Sequence, residues 1–309
     1  MKFGLQHPNF SFDGKGAEIV EKLGTLAQGA ERVGFDSFWV MDHFHQIQYV
    51  GQPQEPMFEG WTTQAVVAGL TGKIKLGTLV TGIVYRHPSV LAKIGATLDI
   101  LSKGRLFMGI GAAWNVEEAR AYGIPFPPVG ERMRRLEEAV QIIIKMWTEE
   151  RASFHGKFYQ LSDAYCNPKP IQKPHPPIMI GGGGERRTLK IVAKYGDACN
   201  IFGSVETVKH KLEVLREHCR SVGRDYESIL KTKLGHVVID KNKEKVTEAI
   251  KAMPEDRRRE YVIYGTPEEV RKQVEAFRDA GIEYLIVNLE PDNELHALDL
   301  FASEVVKKL

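Results

Sequence analysis

Residues 76–111, LGTLVTGIVYRHPSVLAKIGATLDILSKGRLFMGIG, contain the repeating unit of the fold. They begin with the apolar run Leu76–Thr81 and end with the run Leu106–Gly111, and both have the length of a buried strand. Two strands can pair in parallel only if the connection between them is long enough to return the chain to its starting edge. The segment therefore predicts two parallel strands joined by a right-handed crossover.

The same alternation runs along the whole chain. Six further strands are predicted, at Phe3–Gln6, Phe38–Met41, Ile178–Ile180, Cys199–Phe202, Leu234–Ile239 and Tyr284–Leu289. Segments with helical spacing separate them, and eight such units predict an α/β fold closed into a (β/α)8 TIM barrel. The alternative, an open doubly wound sheet, usually carries a GxGxxG turn after its first strand, where this chain has QHPN.

One connection is longer than the others. About 65 residues separate Gly111 from Ile178, and we interpret the segment at about 112–176 as an insertion between strands 4 and 5. It is predicted to contain a helix over Val129–Glu150 and a hairpin around residues 154–159. A barrel of about 250 residues with this insertion accounts for all 309 residues, so one domain, 1–309, is expected.

Composition limits the possible partners. Lys and Arg number 42 against 40 Asp and Glu, so the charge balance gives no electrostatic signature of nucleic-acid or anionic-membrane binding. No apolar run is long enough to cross a membrane, and no secretory signal follows Met1. We therefore expect a cytoplasmic protein that binds a small-molecule substrate.

In a parallel barrel, catalytic groups lie just after the strands, at their C-terminal ends. Asp42 and His43 follow the second strand, where a carboxylate can accept hydrogen bonds from a cofactor and an imidazole can transfer protons near neutral pH. The alternative is that Asp42 caps a helix and that the histidines face solvent. His43 and His45 lack a third ligand at usable spacing, so no metal site is predicted.

Glycines follow the fifth strand at residues 181–184, directly before ERRT at residues 185–188. Backbone N–H groups of such a run can bind a phosphate at a helix N-terminus, although the run could also be a plain turn.

Aromatic side chains recur at the same predicted end of the barrel. A partly apolar substrate pocket is predicted from Phe44, Trp61, Tyr85 and Trp114, although in most proteins such aromatics are simply core or surface residues.

Longer motifs resemble those of the luciferase-like monooxygenase superfamily, in order along nearly the whole chain. They are WVMDHF at residues 39–44, LGTLVTG at 76–82, RHPSVLAKIGATLDILSKGR at 86–105, GIGAAWNVEEARAYGIPFPPVGER at 109–132, KPIQKPHPPIMIGGGGERRTL at 169–189, KYGDACNIFG at 194–203 and GTPEE at 265–269. The resemblance implies a TIM-type barrel that binds a flavin or the deazaflavin coenzyme F420 at its mouth, usually in a homodimer.

The details are most similar to the F420-dependent branch. On that pattern a non-prolyl cis peptide between Leu79 and Val80 would back the deazaflavin ring, and His43 would accept a proton beside the substrate. Relatives that oxidise a sugar phosphate carry a Glu proton donor where this chain has Trp114, which argues against that substrate. Cofactor contacts are expected from Asp42, Leu79, Val80, Thr81, Gly111, Ala112, Ala113, Gly182, Gly183, Gly184, Phe202 and Gly203.

The leading hypothesis is an F420-dependent oxidoreductase that transfers a hydride between the deazaflavin and a small organic substrate, with His43 as acid/base and Asp42 orienting it. One alternative is an FMN-dependent monooxygenase that uses O2. Another is a cofactor-binding protein without turnover, which would not need Asp42 and His43 at the mouth.

Overall fold

The computed structural model describes residues 1–11, 17–251, 253–289 and 294–309. The strands are β1 (Lys2–His7), β2 (Ser37–Val40), β3 (Lys75–Thr78), β4 (Thr81–Gly82), β5 (Met108–Gly111), β6 (Ala152–His155), β7 (Gln160–Ala164), β8 (Ile178–Gly181), β9 (Ala198–Ile201), β10 (Leu230–Ile239), β11 (Val262–Gly265) and β12 (Tyr284–Leu289). The helices are α1 (Ala17–Val33), α2 (Gly60–Leu70), α3 (Pro88–Leu101), α4 (Val116–Ala121), α5 (Val129–Thr148), α6 (Thr188–Tyr195), α7 (Val205–Val222), α8 (Lys243–Lys251), α9 (Glu255–Tyr261), α10 (Pro267–Asp279) and α11 (Glu294–Glu304).

The main sheet is parallel and has the strand order β3-β2-β1-β12-β10-β9-β8-β5-β4. The two ends of this order meet. Phe107 N donates to the carbonyl of Leu76 at 2.8 Å, Leu76 N donates to the carbonyl of Arg105 at 2.9 Å, and β4 pairs with β5. The predicted (β/α)8 barrel is therefore confirmed, and each of the eight predicted runs contains strand residues.

Two details of the strand prediction are wrong. The run Leu76–Thr81 is not one strand, because the Leu79–Val80 peptide is cis, as the family resemblance implies, and the run divides there into β3 and β4. In addition, β11 is a strand that the sequence analysis missed. It pairs in parallel with the last residues of β10, from His236 opposite Val262 to Ile239 opposite Gly265.

The core has two main layers. The larger layer packs the strands against the surrounding helices. A smaller cluster fills the barrel interior, with Trp39, Leu79, Phe107, Met179, Ala198, Tyr284 and Ile286. Strands β2, β5 and β9 are buried along their whole length, as expected for strands covered on both faces, which explains their continuous apolar sequence.

The segment between β5 and β8 contains α4, α5 and the antiparallel hairpin β6–β7. The helix predicted from Val129 ends at Thr148 and packs on α3, where Trp147 Nε1 donates to the carbonyl of Ala92 at 2.8 Å. In the described ranges, no helix is both long and apolar enough to span a bilayer.

Candidate active site

A buried carboxylate holds His43 at the mouth of the barrel. Asn115 caps α4 by accepting a hydrogen bond from Glu118 N at 3.2 Å, and this short helix directs the Glu118 side chain inward. The Glu118 side chain is fully buried, and its Oε2 lies 2.8 Å from His43 Nδ1. Tyr85 donates its hydroxyl to the same oxygen, and Phe44 N donates to the other.

These hydrogen bonds determine the ionisation state of the Glu118 carboxyl. Burial alone would raise the pKa of this carboxyl, but the hydrogen bonds from His43, Tyr85 and Phe44 N outweigh burial and lower the pKa below its ordinary value. An ionised Glu118 accepts a hydrogen bond from His43 Nδ1–H and thereby fixes the imidazole tautomer. His43 Nε2 forms no hydrogen bond within the described part of the chain, and the side chain is 12% exposed, so it can meet a ligand.

Asp42, the residue before His43, forms an ion pair with Arg86. Its two oxygens accept from Arg86 at 2.6 and 3.0 Å, and Arg86 also contacts Glu59. Burial raises the pKa of the Asp42 carboxyl, and Arg86 opposes that effect. Asp42 thus anchors the loop that carries His43, and it caps none of the helices whose caps the structure describes. Its contact with a cofactor stays a prediction.

The cis Leu79–Val80 peptide lies beside the ends of β5 and β8. The Val80 side chain packs between strand ends, since a Cβ on Gly111 or Gly181 would lie 2.8 or 2.9 Å from it. Thr81 is buried, and its hydroxyl accepts the indole N–H of Trp61 at 2.9 Å. The glycines at 111 and 181 are therefore required by the packing of Val80.

Residues that follow the ends of β5, β8 and β9 have left-handed backbone conformations. Ala113 has a φ of 62°, and Gly182 and Gly203 have φ values of 113° and 132°, all in the left-handed region. Ala112 is half-buried beside Ala113, and Phe202 precedes Gly203 with its ring 6.0 Å from that of Tyr261.

The glycine loop has the donors that an anion requires. Gly182 N–H donates to the carbonyl of Asn200 at 3.0 Å, whereas the N–H groups of Gly183 and Gly184 have no acceptor among the residues described. The Lys211 ammonium occupies the position that a Cβ on Gly183 would need, and it forms no ion pair in the described structure. These groups fit the phosphate of a flavin or deazaflavin cofactor.

Two of the four predicted pocket aromatics, Phe44 and Tyr85, contact each other, and a third, Trp114, contacts His43. The Phe44 and Tyr85 rings are 4.9 Å apart, and Trp114, half exposed, meets the His43 ring edge-on at 5.7 Å. Trp61 has no ring contact with these three in the described ranges and lies in the core at 5% exposure. The aromatic group also includes Tyr49 and Tyr122, which the sequence analysis did not predict.

Other site residues were also missed. The spacing of Asn115 and Glu118 is that of a helix cap, a signal that could have identified the start of α4, but nothing in the sequence pairs Glu118 with His43. Arg86 and Glu59 likewise come from segments distant in sequence. No group of His, Cys, Asp or Glu side chains suited to a metal ion occurs in the ranges that the structure covers.

Comparisons with known proteins identify the family of this chain. The family described as luciferase-like monooxygenase matches residues 1–254. The F420-dependent glucose-6-phosphate dehydrogenase of Kineococcus radiotolerans is 30% identical over 321 aligned residues, covering 93% of each chain.

Solved structures show the same fold. An F420-dependent secondary alcohol dehydrogenase in complex with an F420–acetone adduct superposes with a TM-score of 0.86 at 22% identity, covering 99% of this chain and 98% of that one. A monooxygenase from Streptomyces bottropensis superposes with a TM-score of 0.80 at 24% identity, covering 100% and 99%. This chain belongs to the luciferase-like monooxygenase family of enzymes.

Proposed function

We propose that the protein is an F420-dependent oxidoreductase that transfers a hydride between the deazaflavin and a small organic substrate. The observation that carries the proposal is the His43–Glu118 pair, an imidazole fixed by a buried carboxylate with its second nitrogen open to the mouth. The similarity to a dehydrogenase that uses F420 supports the choice of cofactor.

The chain has a place for each part of such a cofactor. Residues at the mouth would lie against the ring, namely Leu79, Val80, Thr81, Gly111, Ala112 and Ala113, with Asp42, Phe202 and Gly203 beside them. The loop at Gly182–Gly184 and Lys211 would hold the phosphate. When bound, F420 accepts or donates the hydride.

The protein would supply the proton step. In substrate oxidation, His43 Nε2 accepts the proton of a substrate hydroxyl, and the imidazolium formed is stabilised by the Glu118 carboxylate at Nδ1. In the reverse direction the same nitrogen donates the proton. The partly exposed Trp114 covers one edge of His43 and favours a substrate with an apolar body.

The cofactor is tested by titrating the purified protein with F420 and FMN side by side. Because FMN has the same kind of ring and phosphate, it is the close competitor. We expect F420 to bind at least tenfold more tightly, a difference of about 1.4 kcal/mol. Tighter binding of FMN would favour the O2-dependent monooxygenase instead.

The acid/base role is tested by His43→Ala. We expect the variant to keep its cofactor affinity while its single-turnover rate falls by about 10²–10⁴, the usual contribution of one positioned acid or base. A loss below threefold at full cofactor occupancy would contradict the role. No turnover even of the wild type with any alcohol or carbonyl compound would favour a carrier without catalysis.

We also propose a homodimer, because α2 and α3 carry apolar side chains on their outward faces. Val66 and Leu70 on α2 are exposed, as are Val90 and Leu101 on α3, although both helices already bury an inner face. A helix that is apolar on both sides is typical of one covered on both sides. A second copy of this chain would cover these faces.

A further inference from the structure

A basic cleft that the hydride transfer does not use lies between α5 and α6. The cleft has a volume of 210 Å³ and is lined by residues of α5, of α6 and of the loop before α6, namely Met133, Arg134, Glu137, Arg186, Arg187, Lys190 and Ile191. Four of these side chains are cationic. The single carboxylate, Glu137, already bonds Lys194 at 2.7 Å, so the cleft keeps an excess of positive charge.

Two of these four cations have no polar or aromatic partner in the described structure. Arg186 and Lys190 are exposed and form neither an ion pair nor a hydrogen bond with any described residue. Arg187 donates to the carbonyl of Gly130 at 2.8 Å, and Arg134 lies 5.7 Å from the Phe158 ring centroid. Like charges brought together without a counter-charge repel one another, so an anionic ligand would stabilise this arrangement.

The position of the cleft indicates what kind of anion it takes. Thr188 links the cleft to the glycine loop, because its Oγ1 would lie 2.7 Å from a Cβ on Gly184 and donates to Met133 Sδ, in the cleft lining, at 3.9 Å. Guanidinium groups bind carboxylates through paired hydrogen bonds. A ligand that carries carboxylates in a row beyond a phosphate would place them among these side chains.

We propose that this cleft binds the oligoglutamate tail that extends from the phosphate of F420. The inference rests on the proposed cofactor and deepens it, because FMN ends at its phosphate and would leave the cleft empty. A free oligoanion such as polyphosphate has the same chemistry, and the experiment separates the two sources.

The test measures dissociation constants for F420 that carries several glutamates and for its tailless form, which keeps the phosphate. We expect the wild type to bind the tailed form about tenfold more tightly, as one or two charge-assisted contacts would produce. The double variant Arg186→Gln, Lys190→Gln should reduce the ratio of the two dissociation constants, tailless over tailed, to below about twofold. The double variant Lys251→Gln, Lys272→Gln removes the same charge from α8 and α10 and should keep the ratio.

Three results would overturn the inference. One is a ratio near unity in the wild type, and another is an unchanged ratio in the Arg186, Lys190 variant. The third is calorimetric binding of tripolyphosphate that depends on Arg186 and Lys190 while the tail makes no difference, which would assign the cleft to a free oligoanion. Failure of the proposed function has a different pattern, because then the tailless form would also fail to bind while FMN binds.

Discussion

The buried Glu118 carboxylate accepts hydrogen bonds from His43, Tyr85 and Phe44 N, so its negative charge lies beside the imidazole. Replacing it with Gln keeps the size but removes the charge opposite the imidazolium. We expect Glu118→Gln to lower the turnover rate by about 10- to 100-fold and to move the acidic limb of the pH–rate profile toward lower pH. Steady-state kinetics from pH 5 to 9 measure both.

The matched control at this carboxylate is Tyr85→Phe, which removes one hydrogen bond and no charge. It should lower the rate by less than tenfold and leave the pH profile in place. If Glu118→Gln lost activity with an unmoved profile, Glu118 would be a structural residue, and His43 would not depend on its charge.

Site residues that directly follow a strand could be predicted from the sequence. Site residues contributed by other segments could not. His43 and the glycines at 182–184 directly follow predicted strands, and the barrel rule alone placed them at the mouth. Glu118 and Arg86 reach the same place from a short helix and from a loop. Their contacts depend on tertiary packing, which periodicity does not encode.

At the scale of the element, the strands with continuous apolar sequence were predicted, and the exceptions have physical causes. The strand β11, VIYG, is itself a short apolar run, but it directly follows the charged helix α9 and pairs with β10 as an addition to the eight strands that a (β/α)8 barrel needs, so the prediction of eight strands left it out. Leu76–Thr81 has the composition of one strand, but the strand is interrupted at Leu79–Val80, between β3 and β4. Periodicity detects the apolar run and not the break in its hydrogen bonding.

The loop between β8 and α6 gives an element-scale prediction. A side chain at residue 183 would displace the Lys211 ammonium, which is the end of a flexible side chain, so the fold should tolerate it. We expect Gly183→Val to weaken cofactor binding by one to two orders of magnitude, about 1.4–3 kcal/mol, with little change in the melting temperature. Fluorescence titration and a thermal melt measure the two quantities.

Gly182→Val is the informative contrast, because Gly182 has a φ of 113° and a β-branched residue there is strained. That variant should lose stability as well as affinity. Unchanged cofactor affinity in Gly183→Val would show that the loop is only a turn.

At the scale of the whole molecule, the outward stripe of α3 tests the proposed dimer. Val90 and Leu101 are 53% and 65% exposed, and their spacing of three helical turns puts them on one face. We expect Val90→Glu to convert a dimer to a monomer in sedimentation experiments, because a buried unpaired charge in an interface is strongly unfavourable. Val20→Glu, on the exposed side of α1, is the control. A wild type that sediments as a monomer would refute the dimer.

The stability of the whole barrel should also depend on Lys233, a buried lysine of β10. Lys233 on β10 is 1% exposed, with Nζ bonded to the carbonyl of Leu234 at 3.2 Å and 4.8 Å from the Phe277 ring centroid. Within the described ranges it has no carboxylate partner at ion-pair distance. Burial lowers its pKa to about 8 from an ordinary value of 10.5.

Because the folded state binds this proton less tightly than the unfolded chain, the contribution of Lys233 to the free energy of unfolding rises with pH between about 8 and 10.5. Below pH 8, Lys233 is protonated in both the folded and the unfolded state, and its buried charge lowers the free energy of unfolding by about 3 kcal/mol. We expect Lys233→Met to raise the free energy of unfolding at pH 7 by up to that amount and to remove the alkaline rise. Urea unfolding at pH 7 and pH 10 measures both.

Lys231, two residues earlier on the same strand, is the matched control. It is also buried, but Glu227 and Glu283 lie 3.0 and 3.3 Å from its Nζ, so its charge is compensated. Lys231→Met should therefore keep the alkaline rise and give no gain in stability at pH 7, because the two carboxylates lose their partner. Equal unfolding free energies for the wild type and Lys233→Met at pH 7 would mean that the Lys233 ammonium is stabilised as well by the protein as by water.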